Sequence, residues 1–115
     1  MRIKIRKADS EFSKYLREKR KWTCERCGRK EVGGMQASHF WGRKAESVRF
    51  DEENVDCLCF TCHNYFEMNP HEYVEFKKKR LGEQRYKMLM VRAHTTQKRD
   101  DTKILLWLKD LVCPN

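Results

Sequence analysis

Four cysteines of this 115-residue chain are grouped as two Cys-x-x-Cys pairs, a spacing typical of a metal site. Cys24 and Cys27 form the first pair, and Cys59 and Cys62 form the second after a gap of 31 residues. Each pair fits a tight turn that presents two thiolates, and four thiolates complete the tetrahedron that zinc prefers. Because a four-cysteine site has no open coordination position, we expect this Zn²⁺ to be structural rather than catalytic.

Three further polar residues, His39, Asn54 and His63, lie between or beside the cysteine pairs. A neutral imidazole can take a proton from water near pH 7, because its unperturbed pKa is about 6.5. We therefore assign His39 as a general base, Asn54 as the residue that orients its imidazole, and His63 as the ligand of a catalytic divalent ion. Such a set would hydrolyse a phosphodiester. Each residue also has an ordinary alternative: a packed histidine, a turn-forming asparagine, or a histidine that replaces a cysteine on zinc.

Short elements must position these residues. The local patterns predict a strand over residues 35–40, a loop over 42–47 and a second strand over 48–50. A turn over residues 51–53 and a helix over 59–68 follow. His39 would lie on the first strand, Asn54 after the turn, and His63 at the start of the helix. A β-β-α unit fixed by the zinc site would then bring the three side chains together around one cavity.

Helices are predicted on both sides of this unit, so the expected class is α+β, with a small zinc-stabilised core and flanking helices at both ends. The N-terminal helix would be capped by Asp9 or Ser10, and the later helices by Asn69 and Thr102, with Gly82 ending the helix after Asn69. The predicted organisation is a single domain over residues 1–115. It consists of a basic arm and helix over residues 1–21, a zinc core over 22–69 and C-terminal helices over 70–115.

The chain carries a net charge of +9, which favours a polyanionic partner such as nucleic acid. Residues 1–34 have a net charge of +7 and residues 70–115 a net charge of +5, whereas residues 35–69 have a net charge of −3. A basic frame around a slightly acidic centre suits a metal-dependent enzyme that acts on DNA or RNA. The cations expected to contact phosphates are Arg43, Lys44, Arg49, Lys19, Arg20 and Lys21.

No apolar run approaches the roughly 20 residues of a membrane span, so no membrane partner is expected. The first residues lack the apolar segment of a secretory signal, and cysteines in metal-type pairs favour a reducing compartment. These features predict a cytoplasmic protein, which would be the host cytoplasm for a phage-encoded chain. The sequence leaves the oligomeric state open, a dimer included.

The motifs C-E-R-C, A-S-H-F and N-V-D-C-L-C-F-T-C-H resemble those of HNH endonucleases with the ββα-metal, treble-clef-like fold. The runs R-F-D-E-E-N, N-P-H-E-Y and L-G-E-Q-R-Y are more narrowly similar to the NinG/Rap recombination nucleases of lambdoid phages. The resemblance implies a DNA endonuclease with one catalytic ion, Mg²⁺ or Mn²⁺, that acts in phage recombination on branched DNA. It also implies the same roles for His39, Asn54 and His63.

One position departs from the HNH pattern, because many HNH enzymes have a metal-binding Asp where this chain has Ser38. Asp51, Asp56 and the side chain of Asn54 are the candidate replacements. The departure favours one alternative function, a non-catalytic zinc-finger module that binds nucleic acid. A further alternative is a small adaptor whose aromatic surface binds another protein, such as a recombinase or polymerase.

Overall fold

The structure, a computed structural model, describes residues 4–112, except for the side chain of Val112. Its helices and strands confirm the mixed α and β class. In chain order they are α1 (Lys7–Lys19), β1 (Gln36–His39), a short 3₁₀ helix (Glu46–Val48), β2 (Val55–Leu58), α2 (Phe60–Met68), α3 (Pro70–Leu81), α4 (Glu83–Ala93) and α5 (Asp101–Val112). Residues 4–6 of the predicted basic arm have no regular structure, and residues 1–3 lie outside the described residues.

The sheet has two antiparallel strands, β1 and β2, with His39 opposite Val55 and Ser38 opposite Asp56. The second strand was predicted over residues 48–50, and that prediction was wrong, because Val48 ends the 3₁₀ helix. All four residues of β2 are buried, so the strand lacks the alternation of polar and apolar residues by which a half-exposed strand is recognised.

Helices cover the two faces of this sheet. Side chains alternate along a strand, so Ala37 and His39 lie on one face of β1, while Gln36 and Ser38 lie on the other. Ala37 packs with Phe12 and other residues of α1, whereas the side chain of Gln36 contacts α2. Three of the four predicted zinc ligands, Cys24, Cys59 and Cys62, lie in the same buried cluster as Met35, Leu58 and Phe66, so the predicted metal centre adjoins a hydrophobic core.

Several helix ends differ from the predicted caps. Asp9 lies in the first turn of α1 and accepts a hydrogen bond from the Arg6 backbone N–H at 2.8 Å. Asn69 precedes α3 without a capping hydrogen bond and instead donates to the Tyr65 carbonyl. At α5 the capping oxygen comes from Asp100, not Thr102. Gly82 does end α3, with a φ of 82° that L side chains rarely adopt.

A buried ionic network joins α3 to β2. Lys77 and Asp56 are both 0% exposed, and the Lys77 Nζ atom lies 2.8 Å from a carboxylate oxygen of Asp56. Arg80 lies 3.0 Å from the other oxygen of that carboxylate and also pairs with Glu25.

Among residues 4–112, no helix combines the length and apolar character that crossing a bilayer requires.

Candidate metal centre and active site

The four predicted cysteines form one cluster, in which the Sγ atoms of Cys24, Cys27, Cys59 and Cys62 all lie within 4.8 Å of one another. The Cys27 and Cys59 sulfurs are 3.8 Å apart. That separation matches the edge of a tetrahedron built on Zn–S bonds of about 2.3 Å, which is about 3.8 Å. The donor set and its spacing therefore fit a structural zinc ion.

Two local turns build the cluster. Around the first pair, Thr23 and Lys30 form an isolated bridge, and the Gly28 N–H donates to the Cys24 carbonyl at 2.9 Å. Gly28 has a φ of 80°, so glycine is suited to this turn. The second pair lies at the start of α2, where Cys59 is the N-cap and its sulfur accepts from the Cys62 N–H.

The thiols of the cluster differ in how readily they ionise. Burial opposes ionisation of Cys24, but backbone N–H groups that include those of Cys27 and Cys59 lower its pKa to about 7. Burial raises the pKa of Cys62 to about 12, although Arg26 donates to its sulfur at 3.4 Å. A bound divalent cation would favour the thiolate form of Cys62 near pH 7.

His39, the predicted base, lies at the end of β1, and one of its two ring nitrogens is hydrogen-bonded to the backbone. Its Nε2 atom is 3.0 Å from the carbonyl oxygen of Arg49, while Nδ1 has no hydrogen-bond partner among residues 4–112. An N–H at Nε2 would donate to that carbonyl and leave an acceptor lone pair on Nδ1. Burial, followed by the charge of Arg43, lowers the pKa of His39 to about 4, so the imidazole is neutral at pH 7.

Asn54 does not orient the imidazole, and in this respect the predicted contact is corrected. Its side chain is fully buried, accepts from the Trp41 N–H at 2.8 Å, and donates to the carbonyls of Trp41 and Val48 at 2.9 and 3.0 Å. These three bonds occupy the amide and close the loop between β1 and β2. The Arg49 carbonyl lies in that loop, so Asn54 supports His39 through the backbone.

His63 lies on α2, apart from His39. Its Nδ1 atom is hydrogen-bonded to the side-chain oxygen of Gln36, and its Nε2 atom lies 3.5 Å from a carboxylate oxygen of Glu67. Because Gln36 and His39 lie on opposite faces of β1, the two histidines flank the strand rather than face one cavity. Within residues 4–112, the four clustered cysteines are the one group of three or more His, Cys, Asp or Glu residues that could hold a metal ion.

Ser38 and its candidate replacements are all engaged by other protein groups. The Ser38 hydroxyl lies 3.0 Å from the Tyr73 hydroxyl, which also donates to Asp56 at 2.8 Å. Asp56 is further bound by Lys77, and Asp51 accepts from Arg92 at 2.8 Å. The amide of Asn54 is also fully used. None of these side chains is free to replace the usual aspartate ligand.

The sequence contained one overlooked signal for a second donor beside His63. Glu67 follows His63 by four residues, which is the spacing of neighbours on one helix face. Gln36, the other contact of His63, had no such signal, because its position depends on how the sheet packs against α2.

The predicted phosphate-binding cations fall into two groups. Arg49 is 5% exposed and donates to the carboxylate of Asp9, so its side chain is directed into the protein. Arg20 pairs with Glu25, and Lys19 lies 2.7 Å from Glu52.

The side chains of the second group make no hydrogen bond within residues 4–112, whereas Lys19 of the first group is exposed but paired with Glu52. Lys21 and Lys44 are exposed and have no ion pair within residues 4–112. Arg43 is half-buried, with its Nε atom 3.4 Å from Asp9, and its terminal nitrogens have no hydrogen-bond partner in that part of the chain. Lys44 and Arg43 thus place accessible positive charge on the loop that follows His39.

Comparison with known proteins gives one family. No curated protein and no solved structure matches the chain. The family model described as Bacteriophage Lambda NinG protein matches residues 3–106, which include the cysteine cluster, both strands, α1 to α4 and the first half of α5. The chain therefore belongs to the bacteriophage lambda NinG family.

Proposed function

We propose that this protein is an HNH-type, metal-dependent DNA endonuclease that hydrolyses phosphodiester bonds during phage recombination. The observation that carries the proposal is the state of His39: one nitrogen held by the Arg49 carbonyl, the other without a protein partner, and the ring neutral at pH 7. A general base needs an available lone pair and a fixed ring, and both features support this role.

His39 Nδ1 would remove a proton from an attacking water. The water oxygen then bonds to phosphorus, the bond from phosphorus to the departing sugar oxygen breaks, and solvent protonates that oxygen. A pKa of about 4 makes His39 a weak base in the free protein. A bound phosphate would offset the charge of Arg43, the second cause of that low value, and would raise the pKa of His39 towards neutrality.

Arg43 and Lys44 are the side chains proposed to hold the cut phosphate and its neighbour. Both follow His39 on one loop, and the terminal nitrogens of Arg43 have no hydrogen-bond partner within residues 4–112. Arginine can donate two parallel hydrogen bonds to a phosphate and can neutralise the charge that builds up during cleavage. Arg49, by contrast, is proposed to act through its backbone carbonyl.

His63 and Glu67 are the residues that would hold a catalytic Mg²⁺ or Mn²⁺. Their facing atoms are 3.5 Å apart, and Mg²⁺ commonly takes one or two protein donors while phosphate oxygens and waters complete its shell. When bound, the ion would supply positive charge to the phosphate. Gln36, which is hydrogen-bonded to His63, and His39 are both residues of β1, so one strand connects this pair to the proposed base.

The test is nicking of supercoiled DNA by the purified protein, with Mg²⁺, with Mn²⁺ and without an added ion. The proposal predicts nicks that require the added ion and that become rarer as salt rises, because phosphate contacts release counterions. Duplex, single-stranded, looped and four-way substrates would then identify the preferred DNA. Stoichiometric zinc and tight DNA binding without cleavage under any ion would overturn the proposal.

That last outcome defines the second candidate, a non-catalytic zinc module that binds nucleic acid. One observation favours it. The described residues offer a catalytic ion two protein ligands, His63 and Glu67, and the Ser38 hydroxyl is hydrogen-bonded to Tyr73 and so is not available as a third. The two candidates share the same zinc cluster and cations, so ion-dependent cleavage separates them.

A further inference from the structure

An aromatic pocket of about 420 Å³ opens beside the end of β1. Its walls include the rings of Phe40, Trp41, Tyr73 and Tyr86, together with Met90 and Glu67. The volume lies within the range of about 300–1,000 Å³ that is usual for small-ligand sites. None of these residues has a role in the hydrolysis proposed for His39 except Glu67, which pairs with His63.

The rings of the pocket are half-buried and meet at steep angles. Phe40 lies 6.1 Å from Tyr86 with planes inclined by 68°, and 6.1 Å from Trp41 with planes inclined by 88°. A flat guest can therefore stack on one ring while its face meets the edge of another. Nucleobases are flat groups that stack on aromatic side chains whatever their identity.

Charged groups at the pocket suit a nucleotide. Lys78 lies outside the pocket lining, but its exposed Nζ atom is 5.6 Å from the centre of the Tyr86 ring, which does line the pocket. Glu67 is exposed on α2. One of its carboxylate oxygens lies beside His63, so the other can accept a hydrogen bond from the amino group of a base such as cytosine. The pocket thus combines stacking surfaces with one acceptor, Glu67, and a cation near one of its rings.

The pocket is close to the proposed cutting site. Trp41 follows His39 by two residues, a span of at most about 7 Å of backbone. Successive nucleotides of a stacked strand are separated by about 3.4 Å, so a guest in the pocket would lie within about two nucleotides of the cut phosphate. A base paired in a regular duplex is stacked between its neighbours and is not available to such a pocket.

We propose that this pocket binds one unstacked nucleobase next to the cut phosphodiester and so selects DNA that contains an unpaired base. The proposal rests on the proposed function, because it names the DNA feature that the same site recognises. The probe is a duplex with a single-nucleotide bulge that carries the fluorescent base 2-aminopurine, compared with a fully paired duplex of equal length.

Binding is measured with the His39→Ala protein and no added divalent ion, so that cleavage does not interfere. We expect about tenfold tighter binding to the bulged duplex, within the range that one base stacked on an aromatic ring contributes, and quenching of the 2-aminopurine fluorescence. Tyr86→Leu keeps an apolar side chain but removes a flat ring, and should abolish the preference while leaving affinity for the paired duplex unchanged.

Two further variants separate stacking from general loss of structure. Trp41→Phe should keep the preference, because the Trp41 Nε1 atom has no hydrogen-bond partner within residues 4–112 and a ring remains. Phe60→Ala removes an aromatic ring that is 69% exposed and lies outside the pocket, so it should also keep the preference.

Equal affinity for the two duplexes, or a preference that survives Tyr86→Leu, would overturn the inference. If the parent protein nicks DNA, the first result would leave the proposed function standing and would point to a protein side chain as the occupant of the pocket. A bulge preference in a parent protein that never nicks DNA would support the pocket and contradict the nuclease.

Discussion

The Lys77 ammonium group and the Asp56 carboxylate form a fully buried ion pair, with Nζ 2.8 Å from an oxygen of Asp56. The Lys77 group also donates to the Glu53 carbonyl at 2.7 Å. Burial lowers the pKa of Lys77 to about 8, although Asp56 opposes this shift. The pair fastens α3 to β2, directly beside the strand that carries His39.

Removing one charge of this pair should therefore be costly. We expect Lys77→Met to lower the free energy of unfolding by about 3–5 kcal/mol, because Asp56 would remain charged and buried without its main partner. Urea denaturation measures the change. Lys78→Met is the matched control, since Lys78 is exposed, and its unfolding free energy should change by less than about 0.5 kcal/mol. Equal effects of the two substitutions would contradict the role given to the pair.

Zinc removal should unfold the protein. Three of the four clustered cysteines lie in a hydrophobic core that also contains Met35, Leu58 and Phe66. Structural zinc contributes about 10–16 kcal/mol in small domains, which is comparable to the stability of a whole domain. A strong chelator should abolish the helical circular dichroism signal, and added Zn²⁺ should restore it. Elemental analysis should find one zinc per chain.

Cysteine substitutions test the ligand assignment of that zinc. Cys27→Ser should lose the ion, whereas Cys57→Ala should retain it, because Cys57 is buried but is not a member of the four-sulfur group. Zinc loss in the second variant, or full retention in the first, would show that the ligands are misassigned.

Asn54 should act on the loop rather than on the imidazole. Asn54→Ala leaves the N–H and carbonyl of Trp41 and the carbonyl of Val48 without their partner, at a cost of at least about 2 kcal/mol. We expect lower stability together with weaker cleavage. Asn64→Ala, at an exposed position of α2, should change neither quantity. If Asn54→Ala cleaved poorly at undiminished stability, direct contact with the reacting groups would be the better explanation.

The low pKa of His39 predicts a pH dependence of stability. Its pKa is about 4 in the folded protein and about 6.5 in an unfolded chain, so the unfolded state binds the extra proton between these values. Stability should therefore fall as the pH drops from about 6.5 to about 4, by about 1–3 kcal/mol. Denaturation of the parent and of His39→Leu at pH 7 and pH 5 isolates this contribution, since acid effects on the zinc site are common to both. An identical slope in the two proteins would contradict it.

The zinc cluster was predictable from sequence because it depends on local spacing. Each Cys-x-x-Cys turn specifies its own local geometry. The rest of the fold only has to bring the two turns together. The ends of α2 and α3 were also predictable. At α3 the signal is local, because Gly82 ends the helix through its own backbone conformation.

The second strand and the cation roles were not predictable, because their partners are remote in sequence. Asp56 looks like a surface residue, yet it is buried on β2 and is neutralised by Lys77, which follows 21 positions later. Arg49 looks like a phosphate contact, yet Asp9, 40 residues earlier, draws its side chain inward. In both cases a charged residue is buried by a partner that no local pattern identifies.

The contact of His39 was missed for a related reason. An asparagine side chain was expected to hold the ring, but the structure provides a backbone carbonyl, that of Arg49. Every residue has a carbonyl, so the sequence contains no signal for which one accepts the hydrogen bond.

The rate of DNA cleavage by His39→Ala under single-turnover conditions tests the central claim most directly. With Mg²⁺ or Mn²⁺ present, the variant should bind DNA as the parent does and cleave it about 10²–10⁴-fold more slowly, the usual contribution of a general base. His71→Ala, which replaces an exposed histidine of α3, should cleave at the parental rate. Parental cleavage by His39→Ala would contradict the assignment of His39 as the base.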